Sequence, residues 1–125
     1  MATGDLPAFQ FRRLRKRAQF LNAARGRKAG RTGFSVQAIA AADPSPGLGL
    51  TVTKKTGNSP QRNRIRRRLR AAAQACGGDF LPQHDYVLVG RREALTEPFA
   101  KIVADLSSAL LKLNAPPRPS GSPRP

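Results

Sequence analysis

Apolar and polar residues alternate along two segments near the middle of the chain. In residues 34–40 the apolar side chains fall on one face of an extended chain, and residues 48–53 repeat that pattern. Such alternation is typical of strands with one buried face, and the intervening residues 43–47 contain two prolines, which argue against a strand running through them. We therefore predict two antiparallel strands. Residues 85–90 are almost continuously apolar and predict a third, central strand that is covered on both faces.

Three other segments carry apolar residues at helical spacing. Residues 15–25 predict a first helix, and the glycine that follows is placed to end it. A second helix is expected to run to Cys76, with Ser59 as its N-terminal cap and Pro60 in its first position, where the missing N–H of proline has no consequence. A last helix is expected after Pro98. Its apolar stripe, predicted to be core, consists of Phe99, Ile102, Val103, Leu106, Leu110 and Leu113.

The chain is strongly basic. Its 125 residues include 23 Lys and Arg against 7 Asp and Glu, a net charge of +16, and such a charge destabilises the compact state unless an anionic partner offsets it. Nucleic acid is the expected partner, ahead of anionic membrane. No apolar run approaches the roughly 20 residues of a membrane-spanning helix, and the N-terminus has no apolar run of signal-peptide type, so we expect a cytoplasmic protein with no membrane partner. This length suits one compact domain with tails.

Residue types that catalyse reactions or bind metals are scarce. The single cysteine, Cys76, cannot form an internal disulfide, and with the single histidine, His84, it cannot supply a structural zinc site. We expect Cys76 to be a small core residue and His84 to be a solvated loop residue. The basic segments contain no carboxylate cluster that could hold two metal ions, and no pairing of nucleophile and base is evident. We therefore expect no catalytic residue and no metal ligand on this protein.

The second predicted helix has one packing face and one cationic face. At 100° per residue its apolar positions fall within one sector, and the opposite sector contains Asn63, Arg66, Arg67 and Arg70. Arg62, Arg66 and Arg70 form a row of like charges, in which each neighbouring pair costs roughly 0.2–0.5 kcal/mol in an isolated helix. No acidic residue occurs between Asp43 and Asp79 to relieve this repulsion. Phosphates would relieve it, because guanidinium groups bind them bidentately and the helix N-terminus adds exposed N–H groups.

Residues 54–70 carry a recognisable sequence signature. They read Lys-Lys-Thr-Gly-Asn-Ser-Pro-Gln-Arg-Asn-Arg-Ile-Arg-Arg-Arg-Leu-Arg, which closely resembles the bacterial ribonuclease P protein family, where a basic strand end and glycine turn precede Arg-Asn-Arg-x-(Lys/Arg)-Arg-x-x-Arg. The matching positions are Arg62, Asn63, Arg64, Arg66, Arg67 and Arg70. The resemblance extends over residues 14–113. It departs at Ala71, where many members carry Glu or Gln, and at Ala24, where some carry a larger apolar residue.

The resemblance implies the fold. It implies an α+β fold in which a mixed sheet is backed by helices, similar to the second domain of ribosomal protein S5, and for this chain we expect a single two-layer domain with three to four strands. Members of the family have a left-handed βαβ crossover through the basic helix, whereas general rules favour the right-handed form. We expect a flexible basic arm at residues 1–13, the domain at residues 14–113 and a disordered Pro/Ser/Arg tail at residues 114–125. A fourth strand would lie in a short basic segment.

The resemblance also implies the function, that of the protein subunit of ribonuclease P. In that enzyme a large catalytic RNA, with bound Mg²⁺ as cofactor, removes the 5′ leader of precursor tRNA to give the mature 5′ end. The implied partners are the catalytic RNA and precursor tRNA, no obligate protein partner is evident, and the isolated protein is expected to be inactive. The alternatives are a ribosomal or ribosome-assembly protein without an enzymatic role and, third, a nucleoid DNA-binding protein.

The expected RNA contacts fall into two groups. Phosphates of the catalytic RNA are assigned to Lys54, Lys55, Arg62, Asn63, Arg64, Arg66, Arg67, Arg68 and Arg70. The resemblance places the single-stranded leader on the face formed by the first helix and the sheet, where Lys16 and Arg17 would supply charge. Phe20 and Phe34 would form its aromatic wall. Both phenylalanines are equally suited to ordinary core packing, one on a helix and the other on a strand.

Overall fold

The computed structural model describes residues 11–114 of the chain. Within these residues the strands are β1 (Arg12–Arg13), β2 (Arg27–Gly30), β3 (Phe34–Ala40), β4 (Gly47–Thr51) and β5 (His84–Gly90). The helices are α1 (Arg17–Ala24), α2 (Ser59–Ala75) and α3 (Phe99–Asn114). Short 3₁₀ turns follow β4, α2 and β5 at Lys54–Thr56, Gly77–Asp79 and Arg92–Leu95. None of the helices in this part of the chain is long and apolar enough to cross a membrane.

The five strands form one mixed sheet with the order β1-β4-β5-β3-β2. β5 pairs in parallel with β4 and antiparallel with β3, so the predicted α+β fold and the central place of the third predicted strand are confirmed. β3 and β4 run in opposite directions, as expected, but they are not neighbours because the apolar β5 lies between them. β4, α2 and β5 form a crossover between parallel strands, and its left hand stays a prediction.

Two short strands complete the sheet at its edges. β2 lies in a basic segment, as expected for the fourth strand, and pairs antiparallel with β3. β1 pairs in parallel with the start of β4, which corrects the expected extent of the flexible arm. Phe11 also belongs to the folded part, because its ring packs edge-to-face on Phe80 with 4.8 Å between the ring centroids. The rest of the expected arm, residues 1–10, and the expected tail beyond Asn114 lie outside the described residues.

The start of α2 differs in one detail from the sequence prediction. The cap is Asn58 and not Ser59, so Pro60 occupies the second helical position. The Asn58 side chain accepts a hydrogen bond from the Gln61 backbone N–H, and the Gln61 side chain accepts one from the Asn58 backbone N–H, both at 2.9 Å. This reciprocal pair satisfies two N–H groups that the helix itself leaves without a partner.

Helices cover both faces of the sheet. α2 and α3 pack on one face, where Phe34, Leu88 and Cys76 belong to the main core, and α1 packs on the other face in a smaller cluster. The core position of Cys76 is confirmed, and burial raises the pKa of its thiol. His84 is not a solvated loop residue: it is half-buried at the start of β5, with Nδ1 2.9 Å from the Pro82 carbonyl oxygen.

Candidate nucleic-acid interface

One flank of α2 is tied to the segment that precedes α3. Ile65 and Leu69 are fully buried against the sheet. Beside them, Nε of Arg64 donates to the Leu95 carbonyl at 3.3 Å, and Arg68 donates to the Glu97 carbonyl. These two guanidinium groups therefore dock α2 onto the protein, although the sequence placed them with the RNA contacts. Their assignment to RNA stays a prediction, and the structure shows that both form hydrogen bonds within the protein.

The opposite flank of α2 carries the row Arg62, Arg66 and Arg70. Arg62 donates to the Ser59 hydroxyl and Arg66 to the Asn63 side-chain oxygen, each at 3.0 Å. Both acceptors are neutral, so these bonds orient the guanidinium groups without cancelling their charge. Within residues 11–114 the ion pairs are formed by Arg12 and Lys101, and the positive charge of this row therefore remains available to an external anion.

A third group of side chains, three cations and one neutral amide, faces the solvent. Arg67 and Asn63 are exposed on the outer side of α2, and Lys54 and Lys55 are exposed in the turn that precedes it. This outer surface is formed by Lys54, Lys55, Asn63 and Arg67, and the capped N-terminus of α2 lies between its two lysines and Asn63 in the sequence. Helix N-termini favour anions because their N–H groups and the helix dipole point toward them.

A cleft of about 620 Å³ opens at the edge of the sheet between α1 and α2. It exists because β1 pairs with only the first two residues of β4, Gly47 and Leu48, so that the rest of β4 is an open edge. The residues that line the cleft are Phe11, Arg13, Leu14, Phe20, Leu48, Gly49, Leu50, Arg66, Arg70 and Gln74. Cations from β1 and from α2 thus stand beside an apolar floor supplied by β4 and α1.

Phe20 lies directly against the floor of this cleft. A Cβ atom on Gly49 would lie 2.7 Å from Cε2 and 2.8 Å from Cζ of the Phe20 ring, so the ring rests on the glycine backbone. Phe20 is half-buried and also contacts the smaller core cluster. Its expected position in the cleft is therefore compatible with the structure, whereas its contact with RNA stays a prediction.

The structure corrects the placement of Phe34. This side chain is 0% exposed and packs in the main core beneath α2 and α3, because the face of β3 that carries it points away from α1. Phe34 cannot form a wall of the cleft. Lys16 and Arg17 are exposed at the start of α1 and are not among the residues that line the cleft, so any charge they supply acts from outside it.

Several residues of the cleft were missed from the sequence. Gln74 continues the row of Arg66 and Arg70 by one more step of four residues, and this spacing could have revealed it. Arg13 had no such signal, because a two-residue strand shows no periodicity. The structure also brings Arg66 and Arg70 to the cleft, although the sequence assigned them to the catalytic RNA.

Comparison with known proteins identifies the family. The family model described as Ribonuclease P matches residues 10–114. The chain belongs to the ribonuclease P protein family. A ribonuclease P protein component of Ruegeria pomeroyi is 45% identical, with 82% of this chain and 86% of the relative covered. One from Gluconacetobacter diazotrophicus is 46% identical with 80% and 89% covered, and one from Brucella suis is 42% identical with 78% and 77% covered.

Solved structures of ribonuclease P proteins share the fold. The Staphylococcus aureus protein superposes with a TM-score of 0.71 at 24% identity, over 84% of this chain and 97% of that one. The Thermotoga maritima protein gives 0.71 at 22% identity, over 82% and 98%. The match to the family model and to the relatives at 42–46% identity shows that the chain is a protein subunit of the ribonuclease P holoenzyme, which processes tRNA, and that it associates with ribonuclease P RNA. The rival assignments to ribosomal and nucleoid proteins are set aside.

Proposed function

We propose that the cleft between α1 and α2 holds the 5′ leader of precursor tRNA, and that the outer surface of α2 holds the catalytic RNA. The observation that carries this proposal is the composition of the cleft, in which Arg13, Arg66 and Arg70 border an apolar floor under the Phe20 ring. Single strands are bound by such combinations, because bases stack on aromatic or apolar surfaces while cations follow the phosphates. Mature tRNA lacks the leader and cannot make these contacts.

The outer surface suits a different contact. Arg67, Lys54 and Lys55 are exposed and face away from the cleft, so an RNA bound there leaves the cleft open. Arginine can clasp a phosphate bidentately, and lysine contributes a point charge. Both RNAs would thus contact α2. The catalytic RNA would bind its outer side, and the leader would bind the flank beside the sheet.

We further propose that the catalytic RNA performs the hydrolysis and binds most of the Mg²⁺ of the holoenzyme. Residues 11–114 contain no group of three or more His, Cys, Asp or Glu side chains that could hold a metal ion, so this part of the protein does not offer such a site. The protein would act in the cytoplasm, where precursor tRNA is made. RNA-free protein that cleaved precursor tRNA would overturn the assignment of catalysis to the RNA.

The two surfaces can be separated in a reconstituted holoenzyme. We expect Arg70→Ala to weaken binding of precursor tRNA by about 1.5–3 kcal/mol, the scale of one charged hydrogen bond, with little change for mature tRNA. Arg67→Ala should instead weaken the affinity of the protein for the catalytic RNA and leave the preference for precursor unchanged. Arg25→Ala, which removes a charge from an exposed position after α1, is the matched control. Equal preference for precursor in Arg70→Ala and Arg25→Ala would contradict the proposed leader site.

A further inference from the structure

An ion pair that reaches across a neighbouring strand holds the N-terminal strand in place. Arg12 in β1 is paired in register with Gly47 in β4, and Gly47 is paired with Asp85 in β5. Nη2 of Arg12 lies 2.8 Å from Oδ1 of Asp85. The Arg12 side chain therefore passes over β4 and contacts the central strand of the sheet.

Gly47 makes this passage possible. A Cβ atom at that position would lie 2.5 Å from Oδ1 of Asp85 and 2.9 Å from Nη1 of Arg12. Both distances are shorter than a non-bonded contact allows, so any larger residue would push the two charged groups apart. The glycine thus leaves the space in which the ion pair forms.

The same guanidinium group also holds the loop before β4. Nη2 of Arg12 donates to the Ser45 carbonyl at 2.8 Å, and Nε lies 3.2 Å from Oδ1 of Asp43. Hydrogen bonds from the Ser45 backbone N–H and hydroxyl lower the pKa of Asp43, which keeps that carboxylate charged. Asp85 is buried, with 8% of its surface exposed. Arg12 therefore links β1 both to the loop before β4 and to β5.

The ion pair adds to a backbone pairing that is short and to the packing of the flanking Phe11 and Leu14. The Arg12 N–H donates to the Pro46 carbonyl at 2.8 Å and the Leu14 N–H to the Leu48 carbonyl at 3.1 Å. A strand of two residues gains little from backbone pairing alone. Yet this strand and its flanking residues supply Arg13 to the cleft, opposite the arginines of α2.

We propose that Arg12 and Asp85 are positioning residues for the leader cleft. Neither residue lines the cleft. Their ion pair fixes β1 on β4, and β1 in turn holds Arg13 in the cleft, where its guanidinium group can contact a phosphate of the leader. This inference rests on the proposed function. It adds Arg12 and Asp85, which affect binding of the leader by positioning Arg13.

The test uses the holoenzyme reconstituted from the full chain and its catalytic RNA. Arg12→Gln should lower the preference for precursor over mature tRNA by about 2- to 30-fold, the range found for residues that act through others. The loss should appear in KM for precursor, with kcat at saturating substrate unchanged. Arg12→Lys, which keeps the charge but reaches fewer partners, should give an intermediate value. Arg15→Gln removes the same charge from an exposed position three residues away and should leave the preference unchanged.

A second variant separates positioning from folding. Arg12→Gln leaves the buried Asp85 carboxylate without its cation, which destabilises the protein. Arg12→Gln combined with Asp85→Asn removes both charges, so the thermal midpoint should recover while the preference stays low. Amide hydrogen exchange of Leu14 should be faster in both variants, because its N–H bonds β1 to β4. A double variant with normal exchange at Leu14 and normal preference would overturn the proposal.

A cleft variant distinguishes this inference from the proposed function. Arg13→Gln changes a residue that lines the cleft. If Arg13→Gln lowers the preference for precursor and Arg12→Gln does not, the cleft assignment stands and the positioning proposal fails. If neither variant changes the preference, the leader does not bind in the cleft and the proposed function fails as well.

Discussion

At the scale of single residues, Gly49 determines how deep the cleft is. A side chain at this position would meet Cε2 of Phe20 at 2.7 Å and Cβ of Leu14 at 3.3 Å, so Gly49→Ala must push the Phe20 ring away from β4 and into the cleft. We expect this variant to bind the catalytic RNA normally and to lose part of its preference for precursor over mature tRNA in a competition assay. Gly78→Ala is the control, because an added Cβ there has no atom within 4 Å. The same loss in both variants would argue against a role for cleft depth.

Phe20 and Phe34 allow a matched comparison of the same truncation. Phe34 is fully buried, so Phe34→Ala should cost roughly 3–5 kcal/mol in the free energy of unfolding. Phe20 is half-buried, so Phe20→Ala should cost less and should also weaken the preference for precursor, because a stacking surface is lost. Urea unfolding and tRNA competition measure the two effects. A folded Phe20→Ala protein with undiminished preference would remove Phe20 from the leader site.

The sequence could not distinguish the roles of these two phenylalanines. Both occupy apolar positions in periodic segments, and periodicity shows which face of an element is buried without showing what covers it. Phe34 became core because α2 and α3 lie on its face of the sheet. Phe20 reached the cleft because Gly49 and the short β1 leave the edge of β4 open beside α1.

At the scale of elements, the basic helix depends on its cap. Asn58→Ala removes the side chain that accepts the Gln61 N–H, and such substitutions cost about 1 kcal/mol of stability. Ser59→Ala, one residue later, should have a smaller effect on the free energy of unfolding, since Ser59 is already inside the helix. Parallel urea titrations of the two variants test this. If Ser59→Ala proved the more damaging, the cap would have been assigned to the wrong residue.

Long elements were predictable and short ones were not. The bounds of β3 were predicted correctly, and α2 and α3 were found where their apolar stripes indicated, because seven or more residues establish a period. Within the α3 stripe the prediction for Phe99 was wrong, because this residue at the start of the helix is 42% exposed and not core. β1 and β2 have two and four residues, too few to show one. Such strands form because a neighbouring strand offers backbone partners. For β1 that neighbour is β4, which is distant in sequence, and for β2 it is β3, the next strand along the chain.

At the scale of the whole molecule, the excess of positive charge should make RNA binding depend on salt. Arg67→Ala should flatten the plot of log affinity for the catalytic RNA against log salt by about 0.7 to 1, the release of one counterion. Lys101→Ala also removes one positive charge, but Lys101 is paired with Asp105 at 2.8 Å and Glu97 at 3.3 Å. The pKa of Lys101 is raised, and the hydrogen bond to Asp105 is the main cause. We therefore expect Lys101→Ala to leave the slope of the salt plot unchanged. If both variants flattened the slope equally, the assignment of an RNA contact to Arg67 would be contradicted.

The partner was predictable from the sequence and the cleft was not. A charge of +16 and a row of arginines indicate a polyanion wherever they lie in the fold. The cleft requires Arg13, Gly49 and Arg70 to line the same space, which depends on the pairing of β1 with β4 and on the packing of α2 beside that edge of the sheet.

The link between Arg12 and Asp85 also has a consequence for the order of folding during synthesis. Arg12 leaves the ribosome 73 residues before its partner, and chains emerge at about 5–20 residues per second. For several seconds the N-terminal strand has neither β4 nor β5 to join. Its docking is therefore a late event, and a nascent chain cannot have a finished cleft until the central strand has been made. Arg12 and Arg13, although made before the rest of the sheet, are thus among the last of its residues to reach their native positions.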